Sequence, residues 1–179
     1  GEVPSGYEEY VPMIKDLYAI ASILEKKAIN EGKLDFPSDE VRKEYDEFGN
    51  VISVKNAENT PATKLIEYLM IAANVCVANY ILLSCIPSAY RNHDKPNVRK
   101  VNETIRLIND DKDLKIKFKP IDSANHPMII QAILHKLSNM DEYPVLASVL
   151  LQCMQRAVYS TVNIGHYALS ENVYTHFTS

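Results

Sequence analysis

Residues 65–86 form the most apolar run of the chain, and they constrain its fold more than any other segment. Thr60 has the side chain of a helix cap, Pro61 suits a first helical turn, and the periodic run reaches Ser84 before Ile86-Pro87 ends it. The run approaches the length that crosses a bilayer, but Glu67, Asn74 and Asn79 interrupt it. Polar groups are costly in lipid, so the segment reads as a buried amphipathic helix, with no membrane as partner.

Burying such a helix takes apolar partners, and the chain has them. Of its 179 residues, 46% are hydrophobic, enough for one domain or for a lobe of a larger one. Charged residues make up 23%, a globular share that argues against disorder. The net charge of −4 lacks the basic excess of a free-standing nucleic-acid binder, although a local basic patch is compatible with it. Cys76, Cys85 and Cys153 are odd in number and lack CxxC spacing. This disfavours a disulfide framework or a zinc site, and a reducing cytoplasm fits best. The polar residues 1–9 lack the apolar stretch of a signal peptide.

Apolar residues at three- and four-residue spacing predict a first helix over residues 9–31, with Gly32 just past its end. An extended piece, 33–36, is closed by Pro37. Strands at 41–45 and 51–55 flank Glu47-Phe48-Gly49-Asn50, which has the turn chemistry of a β-hairpin. Residues 88–97 read as a loop or short strand. Further helices are predicted at 98–109, 126–138 and 144–157, the last with Val145, Leu146, Val149, Leu150, Met154 and Ala157 as its core stripe. The tail, 159–179, carries no decisive periodicity. The fold class is α+β, mainly helical, with a hairpin.

That tail carries the most specific pattern. Asn163-Ile164-Gly165-His166-Tyr167, followed by Tyr174-Thr175-His176-Phe177-Thr178-Ser179, resembles a signature of the ribonuclease II/R catalytic domain, often called the RNB domain. Met154-Gln155-Arg156-Ala157-Val158-Tyr159-Ser160 resembles the segment just before it. Lys33-Leu34-Asp35-Phe36 is similar to the family's G-A-L-D-F segment, and Ile66-Glu67 with Met70-Ile71-Ala72-Ala73-Asn74 to its central helix. Tyr90-Arg91-Asn92-His93-Asp94-Lys95-Pro96 resembles its Y-R-x-H-E-x-P segment. The chain departs from the family at Tyr68, usually a second glutamate, at Asp94, usually glutamate, and at Lys33 and Ala168.

The resemblance implies a mixed α/β catalytic fold of which residues 1–179 are a central-to-C-terminal part. The family's metal-binding aspartate cluster lies upstream of the matched region, and its arginine segment lies downstream of Thr178-Ser179. The expectation is a truncated piece whose partners are the flanking regions of the parent domain and single-stranded RNA. Its uncovered apolar faces favour self-association. The implied parent activity is hydrolytic 3′→5′ exoribonuclease action, releasing nucleoside 5′-monophosphates with Mg2+ as cofactor. Asp35, Asp39, Glu40, Glu67 and Asp94 are scattered, and Asp110-Asp111 reads as a solvated turn, so neither a metal site nor a catalytic residue is assigned in this chain. The piece alone is expected to be inactive. The rival reading is a catalytically dead RNB-like module that binds RNA or protein.

Candidate substrate contacts are Phe36, Glu67, Tyr90, Arg91, His93, Thr178 and Ser179. Phe36 resembles the family's base-stacking aromatic, though a lone Phe is more often core. Glu67 resembles a glutamate that contacts terminal nucleotides, against the plain reading of an ion pair near a helix start. Tyr90 and Asn92 alternate with Arg91 and His93, so Arg91 is free to hold a phosphate or to lock a turn. Thr178 and Ser179 lie near the active site in the parent, as the resemblance implies. Asn74, His166 and His176 read as structural hydrogen bonders, and His126 and His135 as ordinary residues.

Overall fold

The computed structural model describes residues 4–36, 41–56, 60–112, 114, 116–124 and 126–179. Pro37, Asp39 and Glu40, named above, lie outside the described residues. The chain starts with a single 3-10 turn, Glu8–Tyr10, that runs into α1, Val11–Glu31. Gly32 ends α1 at φ 100°, where its amide reaches back to Ala28 and Ile29. A side chain there would meet Met128 Cγ at 2.9 Å, so both conformation and space call for glycine.

The hairpin follows as β1, Val41–Tyr45, and β2, Val51–Asn56, paired antiparallel with a bulge at Glu44/Tyr45. Its turn is set by Asp46, whose carboxylate accepts the amides of Phe48 and Asn50 at 2.9 and 2.8 Å. Helix α2, Pro61–Leu83, opens with a reciprocal cap between Thr60 and Thr63. It leads to β3, Tyr90–Asn92, then to α3, Val98–Asp110, α4, Met128–Leu137, and α5, Tyr143–Leu151. Strand β4, Val158–Ser160, returns antiparallel to β3 as a second two-stranded sheet, and a 3-10 turn follows at Tyr167–Leu169.

The main core joins α3, α4 and α5. Val101, Ile105 and Ile108 meet Ile130, Leu134, Leu137, Ala147 and Leu150, with Leu34, Phe118 and Tyr167 closing the edges. A smaller cluster seals α1 on α2 through Ala21, Leu65 and Tyr68. A third holds Ala78 of α2 against Tyr90 and Val173.

Two expectations change, and the piece 33–36 joins no sheet; Leu34 donates its amide to Ala168 O at 2.8 Å and sinks into the main core. The helix expected at 144–157 stops at Leu151. Beyond it the amides of Cys153 and Met154 bond only three residues back, tightening the last turn, and the following residues pair with β3. Val145, expected in the core, is exposed. Helix α2 is long and apolar enough to cross a membrane by length and composition, yet only 17% of its most apolar stretch is buried within the chain. One stripe finds α1 and the tail, while Ile66, Tyr80 and Leu83 face outward.

Candidate functional site

Helix α2 positions the site because it touches three segments that carry motif residues. Glu67 and Asn74 are seven residues apart, two turns on one face and about 10 Å along the axis. Asn74 is fully buried. Its Oδ1 accepts the amides of Phe177 and Thr178 at 3.0 and 2.8 Å. Its Nδ2 donates to Thr178 O at 3.0 Å and to Tyr174 Oη at 2.9 Å. An amide side chain thus pairs with a peptide unit as another backbone would, and it holds residues 177–178 against the centre of α2.

The same tail runs beside β3. Arg91 donates its amide to Tyr174 O, and Thr175 Oγ1 donates to Ala89 O. His93 and His166 stack at 5.1 Å, and Tyr174 meets the edge of His166 at 5.1 Å. The amide of Leu169 approaches His166 Nδ1 at 3.3 Å, while Arg91 Nη1 lies 3.4 Å from Nε2. A neutral imidazole accepts at one nitrogen only, so the tautomer decides which of these two N–H groups is hydrogen-bonded, and a second ring proton would face a donor on either side. Burial, then the charges of His93 and Arg91, bring the His166 pKa from 6.5 down to about 3. His93 is pushed below its ordinary value by burial too, and the amide of Ala168 meets its Nδ1 at 3.3 Å. These neutral, buried imidazoles brace the fold and are not placed as acid–base catalysts. Beside them opens a cleft of about 830 Å³, lined by Asp94, His126 and Glu171 among others.

Near the start of α2, Lys33 Nζ bonds Glu67 Oε1 at 2.6 Å and Tyr68 Oη at 3.2 Å, and lies 4.4 Å over the Tyr68 ring. The lysine side chain is 8% exposed and that of the glutamate 39%. Burial works against the ammonium charge, but the hydrogen bond and charge of Glu67 outweigh it, so the Lys33 pKa is raised. Gln131 of α4 holds this segment by donating to Ile29 O and Lys33 O. Lys64 makes a parallel bridge to Glu25 at 2.7 Å.

The expected contact residues are not gathered in one place. Glu67 is half-exposed and tethered by Lys33. Phe36 is half-buried and packs on the main core. The Tyr90 ring is buried with Ala78 and Val173 and offers no open face. Arg91 and His93 converge on His166, and Thr178 is exposed but fixed through its backbone to Asn74. Ser179 is exposed beside it. Among the described residues no group of three His, Cys, Asp or Glu side chains is placed to hold a metal ion.

Against known proteins, the family model described as RNB domain matches residues 3–179. This chain belongs to the RNB domain family. The RNB assignment agrees with its relatives: ribonuclease R of Thermotoga maritima is 36% identical over 185 residues, covering 99% of this chain and 25% of that protein. Ribonuclease R of Escherichia coli K12 is 27% identical, covering 96% of the chain and 21% of the relative. The chain thus spans about a quarter of the length of the relatives it matches. In structure it superposes over its whole length, at a TM-score of 0.87 and 24% identity, on 27% of Mycoplasma genitalium RNase R solved with ribose-methylated single-stranded RNA. It also shares its fold, at a TM-score of 0.54 over 68% of the chain, with a yeast pseudonuclease.

Within this RNB domain, several residues carry roles the sequence reading passed over. Asn102 and Asn109, seven apart on α3, clamp Ile121 and Phe118 through both backbone groups at 2.8–2.9 Å. Asn92 holds Val162 O and Ile164 N in the same way. The available signal was asparagine at repeated positions inside strong helices, where it is a poor helix former unless its side chain is used elsewhere. Lys33 was noticed as a departure, but its partner could only be found in space.

Proposed function

We propose that the protein acts as part of a hydrolytic 3′→5′ exoribonuclease that degrades single-stranded RNA to nucleoside 5′-monophosphates. In this reading the chain supplies the helical floor and wall of the RNA path, while carboxylates outside it hold Mg2+. The observation that carries the reading is α2: one face holds Glu67, fixed by Lys33, and two turns further on Asn74 anchors the Thr178 backbone. That places a carboxylate and a pinned, exposed hydroxyl-bearing segment on a single rigid element, as guiding a flexible strand requires. The relatives are named ribonuclease R, and a structural neighbour was solved with single-stranded RNA. The three thiols are unpaired, which supports a cytoplasmic location for the protein. Glu67, Phe36, Arg91 and Thr178 are the contacts assigned to RNA, with His93 and Tyr90 bracing them and Ser179 next to the scissile end.

The second reading is a binding module without chemistry, since among the described residues no three His, Cys, Asp or Glu side chains are grouped to hold a metal ion. One experiment separates the two. A 5′-labelled single-stranded oligoribonucleotide is incubated with the chain and magnesium, beside an EDTA control and a DNA copy. The expected result is RNA binding without shortening by this chain. Magnesium-dependent shortening would show that a working metal site assembles from these residues. Equal binding of DNA and RNA, or none, would remove the RNA-directed reading.

A further inference from the structure

We infer that Tyr159, pinned by His176 and set opposite Arg91, is a stacking platform for a base of single-stranded RNA. This rests on the RNA-directed reading above and adds a contact residue to it. In the β3–β4 pair Tyr159 is the direct partner of Arg91, while Tyr90↔Ser160 and Asn92↔Val158 occupy the other face. Directly opposed residues of an antiparallel pair share a face, with Cβ atoms about 5 Å apart. Tyr90 and Asn92 are buried, although Val158 opposite Asn92 is 55% exposed; on the other face Tyr159 is exposed and Arg91 half-buried.

Tyr159 is 61% exposed, yet its ring is not free. Its hydroxyl is 3.0 Å from His176 Nδ1. His176 precedes Phe177, which is 67% exposed and whose amide is held by Asn74. Three rings from two segments are thus presented to solvent on a backbone fixed by β3 and by α2. A tyrosine with its tip bonded has little torsional freedom left to lose, so a base that stacks on it does so at small entropic cost. Arg91 is itself anchored at His166 Nε2, and a guanidinium has further N–H donors for a phosphate oxygen.

The chemistry of the face selects the occupant. The outward part of α2 presents Ile66, Leu82 and Leu83 with one aromatic, Tyr80, among them, a mainly aliphatic surface suited to protein packing. The β3–β4 face presents an aromatic with a polar tip beside a cation. Flat rings next to a positive charge are what a single-stranded nucleic acid needs, one for the base and the other for the adjoining phosphate.

The test is fluorescence anisotropy of a labelled single-stranded oligoribonucleotide with the full 179-residue chain. Wild type is compared with Tyr159→Leu, Tyr159→Phe and, as a remote control, Tyr80→Leu. Thermal melting and light scattering are run on each. Tyr159→Leu is expected to weaken binding about 5- to 150-fold, the loss of one stacked base. Tyr159→Phe keeps the ring and loses less than about 5-fold, and Tyr80→Leu binds as wild type. If wild type binds and Tyr159→Leu binds equally well, the platform is wrong and the RNA-directed reading stands. If wild type binds no RNA, both are wrong. A Tyr159→Leu change in oligomeric state with RNA affinity unchanged would assign the face to a second copy and overturn the proposal. Should Tyr159→Leu unfold, His176→Ala carries the test: a loss of about 2- to 10-fold supports the pinned ring, and unchanged affinity overturns it.

Discussion

Replacing Asn74 with leucine removes four hydrogen bonds while keeping the branched shape and the number of side-chain heavy atoms. Two of the lost partners, the amides of Phe177 and Thr178, lie on an exposed segment and can turn to water, as can Thr178 O. The fourth, Tyr174 Oη, belongs to a ring only 4% exposed and is left short of a partner. With about 0.5–1 kcal/mol for each rehydrated group and 1–2 for the buried hydroxyl, the loss comes to about 3 kcal/mol. For a chain of this size that lowers the melting temperature by about 6–12 °C. Circular dichroism measures the shift, and hydrogen exchange locates it: Phe177 and Thr178 should lose protection while the amides of α2 keep theirs. Asn79→Leu is the control, because its exposed side chain bonds only Val75 O of its own helix; it should change stability by less than about 0.5 kcal/mol. The reasoning fails if Asn74→Leu melts within a degree or two of wild type with the tail still protected.

Four further outcomes follow from the geometry. Glu67→Leu should cost about 1–3 kcal/mol, since it strands a buried ammonium, whereas Lys33→Met should cost less than about 1, since Glu67 is exposed enough to be hydrated; paired urea titrations decide the order. Because the folded-state pKa of Lys33 is raised, its contribution is fully present below 10.5 and fades as pH climbs through the folded value, so wild type and Lys33→Met should converge only in strong alkali. His166 has the opposite sense: its folded pKa is lowered from 6.5 to about 3, so the unfolded chain takes up a proton that the native one refuses. Stability should therefore decline below pH 6.5 with a slope from this residue of up to about 1.4 kcal/mol per unit, and His166→Gln should flatten the difference curve. Gly165→Ala should destabilise by about 1–3 kcal/mol, because φ is +85° and the new Cβ would meet Glu171 O at 3.0 Å; an unchanged midpoint would contradict that reading.

Local chemistry was legible, and long-range pairing was not. The end of α1 at Gly32, the start of α2 at Thr60-Pro61 and the Asp46–Asn50 turn follow from residues that set their own backbone. The premature end of α5 could not be read, since the apolar spacing runs on through Met154 and Ala157; past the helix, Val158–Ser160 pairs with a strand 68 residues earlier. The buried role of Tyr90 depends on Val173, and that of Lys33 on Glu67, in both cases a neighbour supplied by tertiary packing. Motif residues located the region of interest, while their division into contacts and braces had to come from distances and burial.

The bond between Asn74 and Thr178 joins groups 104 residues apart. A ribosome adding about 5–20 residues per second takes roughly 5–20 s to cover that interval. Throughout it, α2 exists as a nascent apolar helix with an unanswered amide at its centre and no tail to close over it. The segment is thus exposed to chaperones and to other nascent chains until residue 178 has emerged, and closure over α2 is a late step in the folding of this stretch.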